Sequence, residues 1–295
     1  MAEAEELFEL FNSINFERND NPLFHYTSRE SFSKMITDNG ISFRLSEASK
    51  FDDKLEGKLC EVFYDIALEE LVEEAFITES EREALEIIKL AKIPIMYNSD
   101  DINAMSLMQS TPLNECTIYV GCFSTEQFDT YMIQHYIKNP QRNGVCIEFT
   151  DFSHLISKTP HSGVYMTLKK VRYGIDAIQY LKQKTKDILS TTGKPGTSEF
   201  QNSGAGCIGL LLKNLSFTAK SGRYRKEHEY RLIMYVPNSI PKGRKIDAFP
   251  KDEKGLFIKI PNTHIANVYP IIKGEAQKEL NYRNDLNGVT KIFGF

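Results

Sequence analysis

Two stretches of the chain carry residues able to do chemistry. The first is LFHYTSRESFSKMITDNGISFRL, Leu23 to Leu45. Leu23–Tyr26 reads as a short strand of large apolar and aromatic residues around one histidine, His25. Thr27 or Ser28 is a natural N-cap, because a hydroxyl there accepts from a free N–H of the first helical turn. Arg29 to Asn39 then reads as a helix, with Phe32, Met35 and Ile36 spaced to share a face. Gly40 is expected to stop it in the left-handed conformation, and Ile41–Leu45 to form a second strand carrying Arg44. A helix N-terminus offers unpaired N–H groups and partial positive charge, which suit an anion. His25 can supply a ring nitrogen or ring N–H, and Arg44 a bidentate fork for phosphate. The plainer reading of the same residues is a packed histidine and a solvated arginine.

The second stretch is KSGRYRKEHEYRLI, Lys220 to Ile233. On a strand, Glu227, Glu229 and Arg231 share one face and His228, Tyr230 and Leu232 the other, because side chains alternate. Two carboxylates and a guanidinium in one row are costly if buried and unpaired. One expectation is therefore an exposed or half-exposed ion-pair ladder, with Lys220 and Arg231 neutralising the glutamates. The other is a glutamate held ionised in a cleft. There it could bond a ribose hydroxyl and stabilise positive charge developing at a sugar C1.

Weaker patterns accompany these. Ser124, Asp129 and His135 could be drawn as a hydrolase triad, but nothing like GxSxG surrounds the serine. Asp52, Asp53 and Glu56 suit helix capping more than a metal site, since hard cations want more, better spaced oxygen ligands. The run Arg223–Lys226 with Tyr224 is able to meet nucleic-acid phosphate, though a solvated face is commoner for so short a run.

The elements that must hold these residues are interleaved strands and helices. Residues 2–12 read as a helix, and 59–91 as two acidic helices meeting near Thr78–Ser80, with a capping-box spacing from Ser80 to Glu83. Strands are expected at Cys116–Ser124, Asn143–Thr150, Gly163–Tyr173, His228–Val236, Gly255–Ile260 and Ile265–Lys273. Helices are expected at Gln127–Lys138, Ile175–Leu189, Cys207–Leu215 and Glu275–Leu286. Ser190–Gly206 is the best loop or hinge by composition, and Pro237–Arg244 is a turn-rich loop. The expected class is α+β: a single central mixed or antiparallel sheet flanked by helices. The 295 residues are read as one domain, with 1–22 an N-terminal helix and loop, 58–113 a helical insertion and 190–206 a flexible loop.

Hydrophobic content of 41%, charged content of 26% and a net charge of −4 fit a soluble globular chain. They give no chain-wide attraction to nucleic acid or anionic membrane. No apolar run approaches the ~20 residues of a membrane span, and the acidic start MAEAEELFELF lacks the basic n-region of a secretory signal. The five cysteines are scattered and odd in number, as expected of reduced thiols in the cytoplasm. The six histidines do not cluster with them, so no metal site is expected.

The motifs occur in the order HYT, a helix ending in Gly, RL, FDD…E, GCFS, YMIQHY, GVCIEF and K…EHEYR. In that order the chain resembles a widespread, mostly bacterial family of uncharacterised proteins, domain of unknown function 2971, over roughly residues 23–275. It departs from the family pattern at Phe51-Asp52-Asp53, where asparagine, aspartate and proline are usual, and at Ile133, where tryptophan is common. More distantly, the HYT–helix–Gly–Ile–strand–Arg opening resembles the first motif of ADP-ribosyltransferase folds.

That second resemblance implies NAD as substrate and an ADP-ribosyltransferase-like fold. It nominates His25 and Thr27 for the nicotinamide ribose and amide, and Arg44 for NAD phosphate. Tyr26 and Tyr136 are the candidates to stack on nicotinamide, and Arg231 would join the binding set. Glu229 would be the catalytic residue, with Glu227 its nearest competitor. The implied reaction passes ADP-ribose to a nucleic-acid or protein acceptor, an activity that would suit a toxin or an anti-phage effector. The rival expectation is a non-enzymatic module that binds a nucleotide or a partner, in which the same polar residues form a structural network or a sensor pocket.

Overall fold

The strand Cys116–Ser124 is the hub of the fold. In the computed structural model, residues 2–15, 17, 19–51, 58–88, 116–138, 141, 143–150, 165–238 and 249–277 are described. Twelve strands are taken in chain order: β1 Leu23–Ser28, β2 Ile36–Thr37, β3 Gly40–Glu47, β4 Cys116–Ser124, β5 Gly144–Phe149, β6 Tyr165–Lys170, β7 Arg172–Tyr173, β8 Ala219–Lys220, β9 Glu229–Pro237, β10 Gly255–Pro261, β11 Ile265–Ile272 and β12 Glu275–Ala276. Among the described residues seven α-helices accompany them: α1 Ala2–Asn15, α2 Arg29–Met35, α3 Leu59–Glu73, α4 Glu79–Ile87, α5 Thr130–Tyr136, α6 Ile175–Thr192 and α7 Ala205–Ser216.

Ten strands form one curled antiparallel sheet in the order β10-β3-β4-β1-β5-β11-β12, with β9 on the other edge of β4, β6 beyond β9, and β2 on β3. The short β7 and β8 pair in parallel apart from it. The class is therefore α+β, a curled antiparallel sheet flanked by helices. No described helix is long and apolar enough to cross a membrane. All five cysteines are free thiols.

One edge of β4 is shared by two strands. β3 pairs there at Tyr119 and Val120, and β1 pairs only at Ser124, opposite Phe24. Between those points β1 and β3 diverge, and aromatic side chains fill the gap. Phe43 stacks on Phe123 at 5.1 Å, and Phe149 meets both edge-on. Gly121 lies on this face of β4 because the Phe43 and Leu45 side chains occupy the space a Cβ would need, 2.8 and 2.6 Å away.

The core is divided by the sheet. One face carries Leu23, Phe43, Phe123, Ile147, Leu232 and Met234, closed over by Phe32 of α2. The other face carries Phe24, Tyr26 and Cys146 under Met132 and Ile133 of α5. Further along it, Ile233 and Tyr235 of β9 meet Phe217 just after α7. Helices α1, α3, α4, α6 and α7 bury a third core of their own, centred on Tyr64, Leu68, Leu181, Ile188, Ile208 and Leu211.

Several boundaries differ from the sequence expectations. Helix α2 ends at Met35, and Ile36–Thr37 turn back as a strand paired with Ile41 and Gly40. Both residues are β-branched and gain a ladder by leaving the helix. Gly40 is thus no helix cap. It has φ 151°, and a Cβ there would lie 2.1 Å from the Ile260 carbonyl oxygen of β10. Ser28 rather than Thr27 caps α2, accepting from Ser31 N–H at 3.1 Å.

The capping box is Thr78 with Glu81, not Ser80 with Glu83. The expected hinge 190–206 is partly helical. α6 runs on to Thr192, and a π-helical turn, Phe200–Gly204, leads into α7 with Phe200 buried. Asp52, Asp53 and Glu56, all of 92–113, the loop 239–244 and the expected helix beyond Gln277 lie outside the described residues.

Candidate functional site

At the start of β9 four charged side chains meet in a closed network. The chain reaches it through a 3-10 segment, Gly222–Glu227, and a left-handed residue, His228 at φ 44°. That bend keeps Glu227 off the strand yet returns its carboxylate to the same amine that Glu229 uses. Lys220 Nζ donates to Glu227 Oε2 at 2.8 Å and to Glu229 Oε2 at 2.6 Å. Arg231 Nε donates to Glu229 Oε1 at 2.8 Å, and its Nη1 to the Phe217 carbonyl at 2.6 Å. Glu227, Glu229 and Arg231 are each 2% exposed.

The expected exposed ladder is therefore a buried quartet of two anions and two cations. Glu227, Glu229 and Arg231 are cut off from water and stay charged only by pairing, while Lys220 keeps its side chain 13% exposed. Burial would raise the Glu229 carboxyl, but Arg231 and Lys220 overcome it and hold it down at about 2. Burial, opposed by Lys220 and reinforced by Glu229, pushes Glu227 up. Burial and the Glu229 carboxylate together raise the Cys122 thiol, which makes it a poor nucleophile. Tyr136 is also raised, by burial and then by Glu229.

His25 does not join this network. Phe24, Ser124 and Glu229 stand opposite one another across β1, β4 and β9 and so share a face. His25 follows Phe24 and turns to the other face, where its ring meets Phe43 at 4.8 Å and Phe123 at 6.1 Å. Its Nδ1 lies 3.0 Å from the Cys122 carbonyl, in the gap where β1 and β3 part. A carbonyl only accepts, so Nδ1 carries the proton. Burial lowers the imidazole to about 4, against the raising effect of that bond.

The other nominated residues are placed as follows. Tyr26 is buried on the network's side of the sheet. Its hydroxyl donates to the Glu126 carbonyl at 2.6 Å and accepts from Asp129 N–H at 3.1 Å, which fixes the entry to α5. Thr27 is buried beside Val145 on the His25 face. Arg44 is exposed and pairs with Asp252 at 3.6 Å. Arg231 bonds Glu229, and Tyr136 is near enough to feel the Glu229 charge. The nominated set is thus split by the sheet, with His25 and Thr27 facing away from Glu229. The sketched triad is not assembled either. Ser124 donates to the Glu227 carbonyl at 3.0 Å, Asp129 caps α5, and His135 stacks on Tyr131.

A cavity of about 610 Å³ opens behind the network. Tyr173 stands between the two, accepting from Glu229 N–H at 3.0 Å while lining the cavity. Lys170, Arg172, Arg225 and His228 line it with the single carboxylate Asp176 and the ring of Tyr230. The Glu17 carboxylate grips Arg172, whose guanidinium also lies 3.5 Å from the Tyr180 ring centroid. Arg225 reaches Asp176 at 2.8 Å across exposed surface. Lys170 is exposed, and among the described residues no carboxylate pairs with its amine. The sequence hid this site because its residues come from four separate stretches, 19–21, 125, 170–176 and 225–230. The one local sign was the run of polar residues on the expected strand 163–173.

No family model, curated protein or solved structure matches the chain. The geometry of the cavity and of the quartet is accordingly what bears on function.

Proposed function

We propose that the protein is a binding module for a small anionic ligand of the nucleotide class, held in the cavity between β6, α6 and the bend at His228. The observation that carries this reading is the basic lining, with Lys170, Arg172 held by Glu17 and Arg225 on Asp176, around about 610 Å³. That volume is in the range of small-ligand sites. Arg172 is pre-set by Glu17 and Tyr180, so less rotamer freedom is lost when it meets a phosphate. The left-handed His228 supports the reading, because such backbone strain gathers at ligand sites. Tyr230 offers a ring for a base.

The transferase reading asks for His25 and Glu229 in one cleft, whereas His25 faces away from Glu229 across the sheet. The deciding experiment is calorimetric titration with ATP, ADP-ribose, NAD and inorganic phosphate, alongside the Lys170→Ala/Arg225→Ala variant. Binding of at least one nucleotide, weakened about tenfold or more in the variant, is expected. No binding, or equal binding by the variant, would sink it. Nicotinamide release from NAD that disappears in Glu229→Gln would reinstate the transferase.

A further inference from the structure

Asn19 and Asn21, part of the cavity wall, follow α1 in the chain. The end of α1 and the residues after it are tied to the body at several points. The Ile14 carbonyl accepts from Lys169 Nζ of β6, and from Asn214 Nδ2 of α7 at 3.2 Å. Ser13 Oγ accepts from Lys184 Nζ of α6 at 3.1 Å. Glu17 accepts from the Lys170 N–H at 2.7 Å and pairs with the Arg172 guanidinium. Asn19, 7% exposed, donates to the Asn21 carbonyl at 3.0 Å and accepts from its N–H at 3.3 Å. Lys169 and Asn214 are both buried, so release of Ile14 would leave an ammonium and an amide donor unpaired in the interior. The stretch from Lys169 to Arg172 therefore serves two ends. Lys169 holds α1, while Lys170 and Arg172 hold Glu17 and line the cavity.

We propose that α1 is a ligand-coupled element of this site: filling the cavity tightens the docking of α1, and an undocked α1 leaves the site unformed. The inference rests on the binding reading above and adds its regulation. Arg172 is the connection. Its Nη2 bonds Glu17 and its Nη1 the Lys170 carbonyl at 3.2 Å, which leaves other N–H groups of the fork for a phosphate. A phosphate meets that guanidinium best where Glu17 holds it, and Glu17 holds it only while the residues after α1 are docked. The Asn19 and Asn21 part of the wall depends on the same docking. Bound anion and docked α1 thus favour one arrangement, and linkage makes each stabilise the other to the same extent. Glu17 does not turn the anion away. One of its oxygens is taken by Arg172 and the other by the Lys170 N–H, and its side chain is only 16% exposed.

The test is hydrogen–deuterium exchange of the full chain, empty and with ATP, ADP-ribose or NAD at about a hundred times the Kd found by calorimetry. Amides in the last turn of α1 should exchange up to about a hundredfold more slowly in the filled protein, the factor linkage gives at that excess. Those of α4, which lines no part of the cavity, should keep their rates. Glu17→Ala should speed α1 exchange in the empty protein and remove the slowing on filling. Arg225→Ala should leave α1 rates in the empty protein unchanged, and should keep the slowing once enough nucleotide is added to restore occupancy. Unchanged α1 exchange in a chain that calorimetry shows to be filled would overturn this inference and leave the binding reading standing. So would equal slowing of α1 and α4, which is global stabilisation, or faster exchange of α1, which would show the phosphate displacing Glu17. Failure of every nucleotide to bind would remove the binding reading and this inference with it.

Discussion

His25 Nδ1 and the carbonyl oxygen of Cys122 are 3.0 Å apart, at the point where the β1 ladder on β4 gives out. The imidazole supplies the donor that an adjacent strand would otherwise provide. Its role is to close a split in the sheet. His25→Phe keeps an aromatic ring but removes the donor, and should cost about 1–3 kcal/mol in chemical denaturation. His25→Ala also leaves a void among Phe43 and Phe123 and should cost about 3 kcal/mol or more. Neither should change ligand affinity in the folded protein.

The same imidazole gives a pH signature. Its folded value, about 4, lies below the ordinary imidazole value of 6.5. Between these values the unfolded chain binds the extra proton, so stability rises with pH through that window. The contribution is complete above pH 6.5 and is lost as pH falls toward 4. Denaturation midpoints at several pH values in that window should slope upward for the native chain. In His25→Gln the slope should be shallower.

The buried quartet should be sensitive to breaking and tolerant of replacement as a unit. Arg231→Ala leaves Glu229 with Lys220 alone and the Phe217 carbonyl without its donor. A loss of about 3–5 kcal/mol is expected. Replacing Glu229 and Arg231 together by apolar residues of similar size should cost less than the two single changes summed, which a double-mutant cycle on unfolding free energies reads directly. Glu229, held at about 2, contributes stability above pH 4.5 that is lost as pH falls toward 2.

Lys169 titrates in the alkaline range. Its amine is buried and donates to the Ile14 carbonyl at the end of α1. Burial lowers it to about 8 from 10.5. The folded chain sheds that proton first, so stability should rise as pH passes from 8 to 10.5. Lys169→Met should abolish that component of the rise, measured by urea midpoints across the range.

Gly121→Ala would push a methyl against Leu45 and Phe43 side chains, at 2.6 and 2.8 Å. Repacking them should cost about 1–3 kcal/mol. Gly40→Ala meets backbone instead, the Ile260 carbonyl at 2.1 Å, and should cost more and loosen β10. Thermal unfolding of the pair ranks the two sites.

Legibility in the sequence followed locality. The apolar run Cys116–Ser124 gave β4 to the residue, and alternation placed Glu229 and Arg231 on one face as found. The helical spacing of Phe32, Met35 and Ile36 misled, because Ile36 and Thr37 gain more from pairing with β3 than from another helical turn. The register Phe24–Ser124–Glu229 decides which face His25 takes. It is set by strands about a hundred positions apart and leaves no local mark. Burial of Glu227 and Glu229 was equally invisible, since it needs Lys220 to arrive through the 3-10 bend.

The helices keep an apolar centre separate from that of the sheet, and β9 touches their side through Ile233 and Tyr235, next to Phe217. Amide exchange should therefore report two tiers of protection, with the helical body able to open while the strands stay closed. Arg231 sits on that seam, bonding Glu229 within the sheet and the Phe217 carbonyl at the end of α7. Its removal should uncouple the tiers as well as lower them.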